Sequence, residues 1–223
     1  MDWSPIFISM KTAGLSIFVT FFLGILSAWA VVSMKNETWK LFWDGILTLP
    51  LVLPPTVAGF FLLYIFGVKR PLGQFFIEYF SVKIAFSWIA TVIAAVVMSF
   101  PLMYRSARGA FEQVDQNLVA AARTLGMSEW SIFRRVLMAN AVPGVVSGGV
   151  LAFARGLGEF GATAMIAGNI AGKTRTLPMA VYSEVAAGNM DTAYRYVAII
   201  VVIAFISVVL MNLAALRTGN RRR

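Results

Sequence analysis

The chain has 223 residues, 59% hydrophobic and only 13% charged, with a net charge of +9 and a mean hydropathy of +0.79. A soluble domain carries about 25% charged residues, so most of this chain suits hydrocarbon, and its positive charge fits membrane orientation rather than nucleic-acid binding. It has no cysteine and no histidine, which excludes disulfides, thiolate chemistry, Cys or His metal sites and His-based acid–base catalysis.

Crossing about 30 Å of hydrocarbon takes about 20 apolar residues. Uncharged runs of that kind lie at 14–32, 45–68, 84–104 and 196–216, and a fifth, 136–154, continues past Arg155 and Glu159 into 160–171. The fold expected is therefore all-α: one domain, 1–223, forming a polytopic membrane helix bundle. Its five transmembrane helices lie at about 6–34, 43–68, 84–106, 136–170 and 194–216, with a polar loop over 107–134.

Span 1 is rich in Phe and Leu, has Ser16, Thr20 and Ser27 as its polar groups, and is expected at the lipid-facing edge of the bundle. Ala28-Trp29-Ala30 resembles a signal-cleavage site, but no basic segment precedes it and further spans follow, so it is read as a retained helix. A short turn, 35–40, leads into span 2, which carries Pro50, Pro54 and Pro55 followed by Thr56. Prolines remove amide donors, and in lipid the freed carbonyls must find neighbouring protein or water. That is either a packing kink or a broken helix lining a translocation path, and three prolines within six residues favour the path. A turn at Pro71-Leu72-Gly73 follows, with 75–80 placed at the membrane interface. Span 3 is rich in Ala and Val and is expected to end in a kink at Phe100-Pro101.

The one long polar stretch runs from Arg105 to Arg135. Within it, Ala120-Ala121-Ala122-Arg123-Thr124-Leu125-Gly126 reads as a small-residue helix stopped by a glycine. Alanine is the best helix former and has no bulk, so a partner's cleft can close on such a helix. Gly126 supplies the left-handed cap, and Ser128 can cap a second short helix. Two short helices around a glycine turn suit docking.

In span 4, Pro143-Gly144 is expected to break the helix early, and Gly144 with Gly148 forms a small face for close helix contact. Arg155 and Glu159 are four apart, so they share a helix face and can pair. Unpaired charges at this depth cost several kcal/mol and generally face a bundle interior or a pathway. A structural salt bridge and direct substrate contact both remain open. The segment 168–195 turns polar through Lys173, Thr174, Arg175 and Thr176, then reads as helix to Gly188. Span 5 is plain Ile, Val and Leu, and Arg217–Arg223 is a basic anchor.

With the N-terminus outside, eleven basic residues fall on the cytoplasmic side and seven outside, counted on 35, 40, 105, 108, 123, 134, 135, 217 and 221–223 against 11, 69, 70, 83, 173, 175 and 195. The expected topology is thus N-terminus out and C-terminus in, with the polar loop cytoplasmic.

Two motifs look like nucleotide sites and are rejected. The glycines 156, 158 and 161 match GxGxxG, but inside a membrane span and without a βαβ unit they serve close packing. The run 168–174 approaches a P-loop but is one residue short, with Ala167 where the first glycine belongs and no strand before it. ATP, if used, is handled by a partner, and no catalytic, metal or cofactor site is expected.

The polar loop resembles the EAA loop of binding-protein-dependent ABC transporter permeases, keeping Ala121, Ala122 and Gly126 at the family's spacing. It departs at Ala120, where the family has Glu, and at Val136 and Met138-Ala139. More of the chain is similar to the molybdate-type permease subunit: 49–56, 98–103, 121–126, 151–155, 158–163 and 174–178. The resemblance implies a homodimer in the cell (inner) membrane, two cytoplasmic ATPase subunits and an external oxyanion-binding protein. It makes 115–133 the coupling helices, and Ala120, Ala121, Ala122, Arg123, Thr124, Leu125 and Gly126 the residues that touch the ATPase. A tetrahedral dianion in transit needs weak contacts. The candidate path residues are Pro54, Pro55, Thr56, Arg155, Glu159, Thr163 and Arg175. The transported ion is expected to be molybdate or tungstate, with a permease for sulfate or another oxyanion as the alternative. An ATP-independent channel or secondary transporter fits less well, because no internal repeat is visible. A membrane enzyme lacks His, Cys and a carboxylate cluster to work with.

Overall fold

In lipid, backbone amides must be satisfied within the protein, which leaves a chain of this composition the α-helix. The computed structural model describes residues 2–220, and among them there are eleven α-helices and no strand. In chain order these are α1 (Ser4–Val32), α2 (Glu37–Val52), α3 (Pro55–Phe66), α4 (Pro71–Phe80), α5 (Trp88–Glu112), α6 (Gln116–Thr124), α7 (Glu129–Ile132), α8 (Met138–Leu157), α9 (Gly161–Ala167), α10 (Leu177–Ala186) and α11 (Met190–Asn220). A π-helical turn, Phe133–Leu137, joins α7 to α8. Four stretches are long and apolar enough to cross a membrane: Ser4–Val32, Trp88–Glu112, Glu129–Leu157 and Met190–Leu210. The pair α2 and α3 meets the same test together, bent by 111° between them, as a fifth. The last arginines of the basic tail, Arg221–Arg223, lie outside the described residues.

At the centre α1, α5 and α8 pack together, which corrects the placing of span 1 at the lipid edge. Thr12, Ser16, Thr20, Gly24 and Ala28 recur every four residues and form one buried face of α1. Thr12 and Thr91 hydroxyls meet at 2.9 Å, the Trp88 indole donates to Thr12 Oγ1 at 3.0 Å, and Thr20 meets Ser99 at 3.1 Å. In hydrocarbon there is no hydrophobic force between helices, so small residues and interhelical hydrogen bonds hold them. Phe18, Phe22 and Leu26 lie on the exposed side of α1. Only half of span 1 faces outward.

The α5–α8 contact is also close. A Cβ on Gly144 would sit 2.6 Å from Ala110 Cβ, and one on Gly148 2.5 Å from Ser106 Cβ. Both prolines expected to interrupt these spans lie inside continuous helix instead: Pro101 in α5, which runs on to Glu112, and Pro143 in α8. One lost amide in a long helix is tolerated where neighbours pack against it.

Two breaks do occur, and they face each other. α2 ends at Val52, Leu53 and Pro54 are extended, and α3 starts afresh at Pro55. α8 ends at Leu157, so the run expected as one span over 136–170 is divided, with α9 a separate short helix. α3 and α9 then pack backbone to backbone. A Cβ on Gly59 would lie 2.6 Å from Ala162 Cα, and one on Gly161 would lie 2.8 Å from Pro55 Cβ.

The turn expected at 35–40 is shorter, because the Asn36 side chain accepts from the Thr38 amide at 2.9 Å and starts α2 there. α2 buries none of its residues. A polar cluster fixes it to α5: Asp44 pairs with Arg108 and accepts from the Tyr104 hydroxyl at 3.0 Å. Arg108 Nε also donates to Glu112 at 2.9 Å, and Lys40 Nζ stands 3.9 Å from the same carboxylate.

Candidate functional site

The polar loop folds as two short helices that stand on the end of the bundle. Asp115 caps α6 by accepting from the Asn117 amide at 2.8 Å. Val119 and Ala122 turn inward and join Phe111, Val114, Ile132 and Phe133 in a core cluster. Ala120, Ala121, Arg123, Thr124, Leu125 and Gly126 stay exposed. α6 ends in a Schellman cap: Met127 N donates to Ala122 O at 3.1 Å and Gly126 N to Arg123 O at 2.9 Å. Gly126 has φ +72°, the left-handed region that glycine enters without strain. Ser128 Oγ then accepts from the Ser131 amide and starts α7.

Arg123 and Glu129 tie the two short helices with two parallel bonds of 2.8 and 3.1 Å. Hydrogen bonding to Glu129 raises the Arg123 guanidinium above its ordinary value, and the same bond holds the Glu129 carboxyl below its own. Trp29 of α1 packs on Phe133 at 4.6 Å between ring centres, and Phe133 on Trp130 at 5.2 Å. The loop is thus anchored on its inner face by apolar packing. Its outer face presents small residues, one ion pair and Leu125, which is 80% exposed.

The second candidate region is the pair of helix breaks. Pro54, Pro55 and Thr56 are exposed at the start of α3, and Thr163 is buried in α9. Glu159 lies between α8 and α9 and binds both. Its Oε2 accepts from Arg155 at 2.6 Å and its Oε1 from the Ala162 amide at 2.7 Å. The carboxylate is almost wholly buried while the guanidinium is 28% exposed. The pair forms as the spacing suggests, but Glu159 stands beyond the helix end rather than on the helix face. Arg175 lies elsewhere, on the 168–176 loop, where its Nε donates to Asn169 at 2.8 Å.

The two motif-like runs are structural. Gly161 lets α9 approach Pro55, and a Cβ on Gly156 would come 3.3 Å from Ser16 Oγ. Thr174 closes the 168–174 turn, accepting from Ile170 N at 3.0 Å and donating to Gly168 O at 3.2 Å. Sequence reasoning missed Asp44 and its partners Tyr104 and Arg108, because the apolar run was counted from 45. It also missed Thr12, four residues before Ser16 and eight before Thr20, and Thr91, eight before Ser99, spacings that place each set on one helix face.

Residues 20–218 match the family described as binding-protein-dependent transport system inner membrane component. The chain is 41% identical over 210 residues to the molybdenum transport system permease protein ModB of Escherichia coli (strain K12), covering 94% of this chain and 91% of that protein. It is 31% identical over 199 residues to the sulfate transport system permease protein CysW of Synechocystis sp. (strain ATCC 27184 / PCC 6803 / Kazusa), covering 89% and 71%. Among solved structures, an inward-facing MetNI methionine ABC transporter aligns with a TM-score of 0.74 at 17% identity, covering 96% of this chain and 94% of that one. A bacterial alginate ABC transporter in complex with its alginate-bound periplasmic protein aligns with a TM-score of 0.73 at 14% identity, covering 96% and 78%.

Proposed function

The chain belongs to the binding-protein-dependent transport system inner membrane components, and on that premise we propose that it is a permease subunit passing molybdate or tungstate through the membrane by alternating access. The observation that carries the choice of ion is the 41% identity, over nearly the whole of both chains, to a molybdenum transport permease. A sulfate permease is the second reading, favoured by the 31% identity to CysW.

In this reading the α6–α7 end faces the cytoplasm, so the N-terminus is outside, and each of two copies docks one ATPase subunit. The alginate transporter's complex with its periplasmic protein supports an external binding protein as the third partner. Ala120, Ala121 and the exposed residues 123–126 enter a cleft of the ATPase, with Ala122 packed beneath them in the core, and Leu125 is the apolar tip. α7 continues through the π-turn into α8, so a displacement of the docked loop is passed directly to a spanning helix. ATP-driven closure of the two ATPases then rocks the helices between two packings.

The oxyanion crosses near the facing helix breaks. Pro55 has no amide and the Val57 and Ala58 amides donate to Pro54 O, which leaves the Thr56 amide as the donor at the start of α3, where the helix N-terminus favours anions. Arg155 adds a guanidinium whose charge is already offset by Glu159. Contacts of that strength suit passage, since an ion held tightly would not leave.

The test is uptake of labelled molybdate into vesicles carrying the chain, its ATPase and its binding protein. ATP-dependent uptake that excess sulfate leaves intact is expected. Uptake of sulfate alone would keep the mechanism and move the ion, and ATP-independent flux would remove the mechanism.

A further inference from the structure

The exposed residues of α8 and its cap fall in one stripe at helical spacing: Asn140, Pro143, Ser147, Leu151 and Ala154, then Gly158 just past the helix end. All but Leu151 are small or polar. The outward faces of α1 and α11 differ, with Phe18, Phe22 and Leu26 on one and Val201, Phe205 and Leu210 on the other. Those faces suit lipid, and the α8 stripe does not. At its upper end, Gly158, the stripe reaches the break that holds Glu159.

Its lower half is one wall of a groove of about 710 Å³, whose other wall is α5. Arg105, Ser106 and Gln113 face Asn140 and Ser147 across it. Among the described residues Arg105 makes no ion pair. The carboxylate at the mouth, Asp115, is engaged as the cap of α6. Asn140 uses one N–H on Val136 O at 2.8 Å, leaving the rest of its amide free. Polar groups lining a cavity in a membrane helix pair face water or a polar solute rather than lipid. One guanidinium among neutral donors suits a tetrahedral oxyanion, as a charge-assisted donor ringed by weaker ones.

We propose that this groove is an oxyanion site on the exit side of the path, in which Arg105, Gln113, Asn140 and Ser147 receive the ion after it passes the helix breaks. The proposal rests on the permease reading and assigns residues that reading leaves out.

The chain has no cysteine, so a single reporter thiol can be placed in the groove. Gly109 lines it, and a Cβ there meets nothing within 4 Å, which makes Gly109→Cys the first choice and Ser147→Cys the second. The assembly with its ATPase is held in lipid nanodiscs without nucleotide, and labelling of this chain by a charged thiol reagent is timed. Labelling should be rapid, and molybdate should slow it several-fold where chloride does not. Adding Arg105→Gln should abolish the slowing while labelling persists. Reporters that do not label, or label equally fast with and without molybdate, would overturn the site. Slowing that follows anionic lipid rather than added molybdate would assign the groove to a headgroup and also overturn it. ATP-driven uptake by the unsubstituted chain, measured alongside, reports on the permease reading separately.

Discussion

Arg155 and Glu159 meet at 2.6 Å across the end of a helix: α8 stops at Leu157, and the second Glu159 oxygen accepts from the Ala162 amide of α9. The carboxylate therefore neutralises a guanidinium deep in the chain and holds the two halves of a broken segment together. Removing one partner of a buried pair costs about 3–5 kcal/mol, and the partial exposure of Arg155 places this pair at the lower end. Glu159→Ala should lower the thermal midpoint of the purified chain and impair uptake. Glu159→Gln, which keeps an acceptor for Ala162 N, should cost less. Unchanged stability and uptake in Glu159→Ala would mean that the pair holds nothing.

The contact between α3 and α9 leaves no room for a methyl group. Gly59→Ala puts a carbon against the Ala162 backbone, and such overpacking costs about 1–3 kcal/mol. Lower stability is expected, with altered transport, because the two helix breaks are forced apart. Gly45→Ala on α2, where a Cβ meets nothing, is the control and should be neutral or slightly stabilising. Equal behaviour of the two variants would remove the close contact from the account.

Gly126 is required for its backbone, not for space, since a Cβ there also meets nothing within 4 Å while φ is +72°. A left-handed conformation costs an ordinary residue about 1–2 kcal/mol, and Asn bears it best. Gly126→Val should reshape the loop and uncouple ATP hydrolysis from transport with membrane insertion intact. Gly126→Asn should stay coupled. Full coupling in the valine variant would deny the loop its docking role.

α2 is fixed by charge rather than burial. Asp44→Ala leaves Arg108 with Glu112 alone, and loss of a hydrogen bond to a charged group costs about 1.5–3 kcal/mol. The expected result is a lower thermal midpoint, partly recovered when Asp44→Arg is combined with Arg108→Asp. A double-mutant cycle between the two positions should give clear coupling. A coupling near zero would place the hold on α2 elsewhere.

The helical class and the five apolar segments were legible because each segment is longer and more apolar than any soluble core requires. The Gly126 turn and the Ser128 cap were legible too, since φ > 0 and an N-cap each select few residue types. The central place of α1 was not, because its composition is set by the outward Phe and Leu while its packing depends on Thr12, Ser16, Thr20 and Gly24. A run average hides a four-residue stripe. Pro101 and Pro143 misled in the other direction: a proline ends a helix only where the next residues are free to leave it, as at Pro54-Pro55. Asp44 escaped because its partners, Tyr104 and Arg108, lie some sixty residues away in sequence.

The central claim, that this chain couples an ATPase to an oxyanion through the 116–132 loop, is tested most directly by ATP hydrolysis. The chain, its ATPase and its binding protein are reconstituted in liposomes, and the rate is compared with molybdate, tungstate and sulfate. The account predicts stimulation by molybdate or tungstate through the binding protein, and its loss in Gly126→Val. Failure of the chain to assemble with any ATPase, or a rate indifferent to every oxyanion, would contradict it.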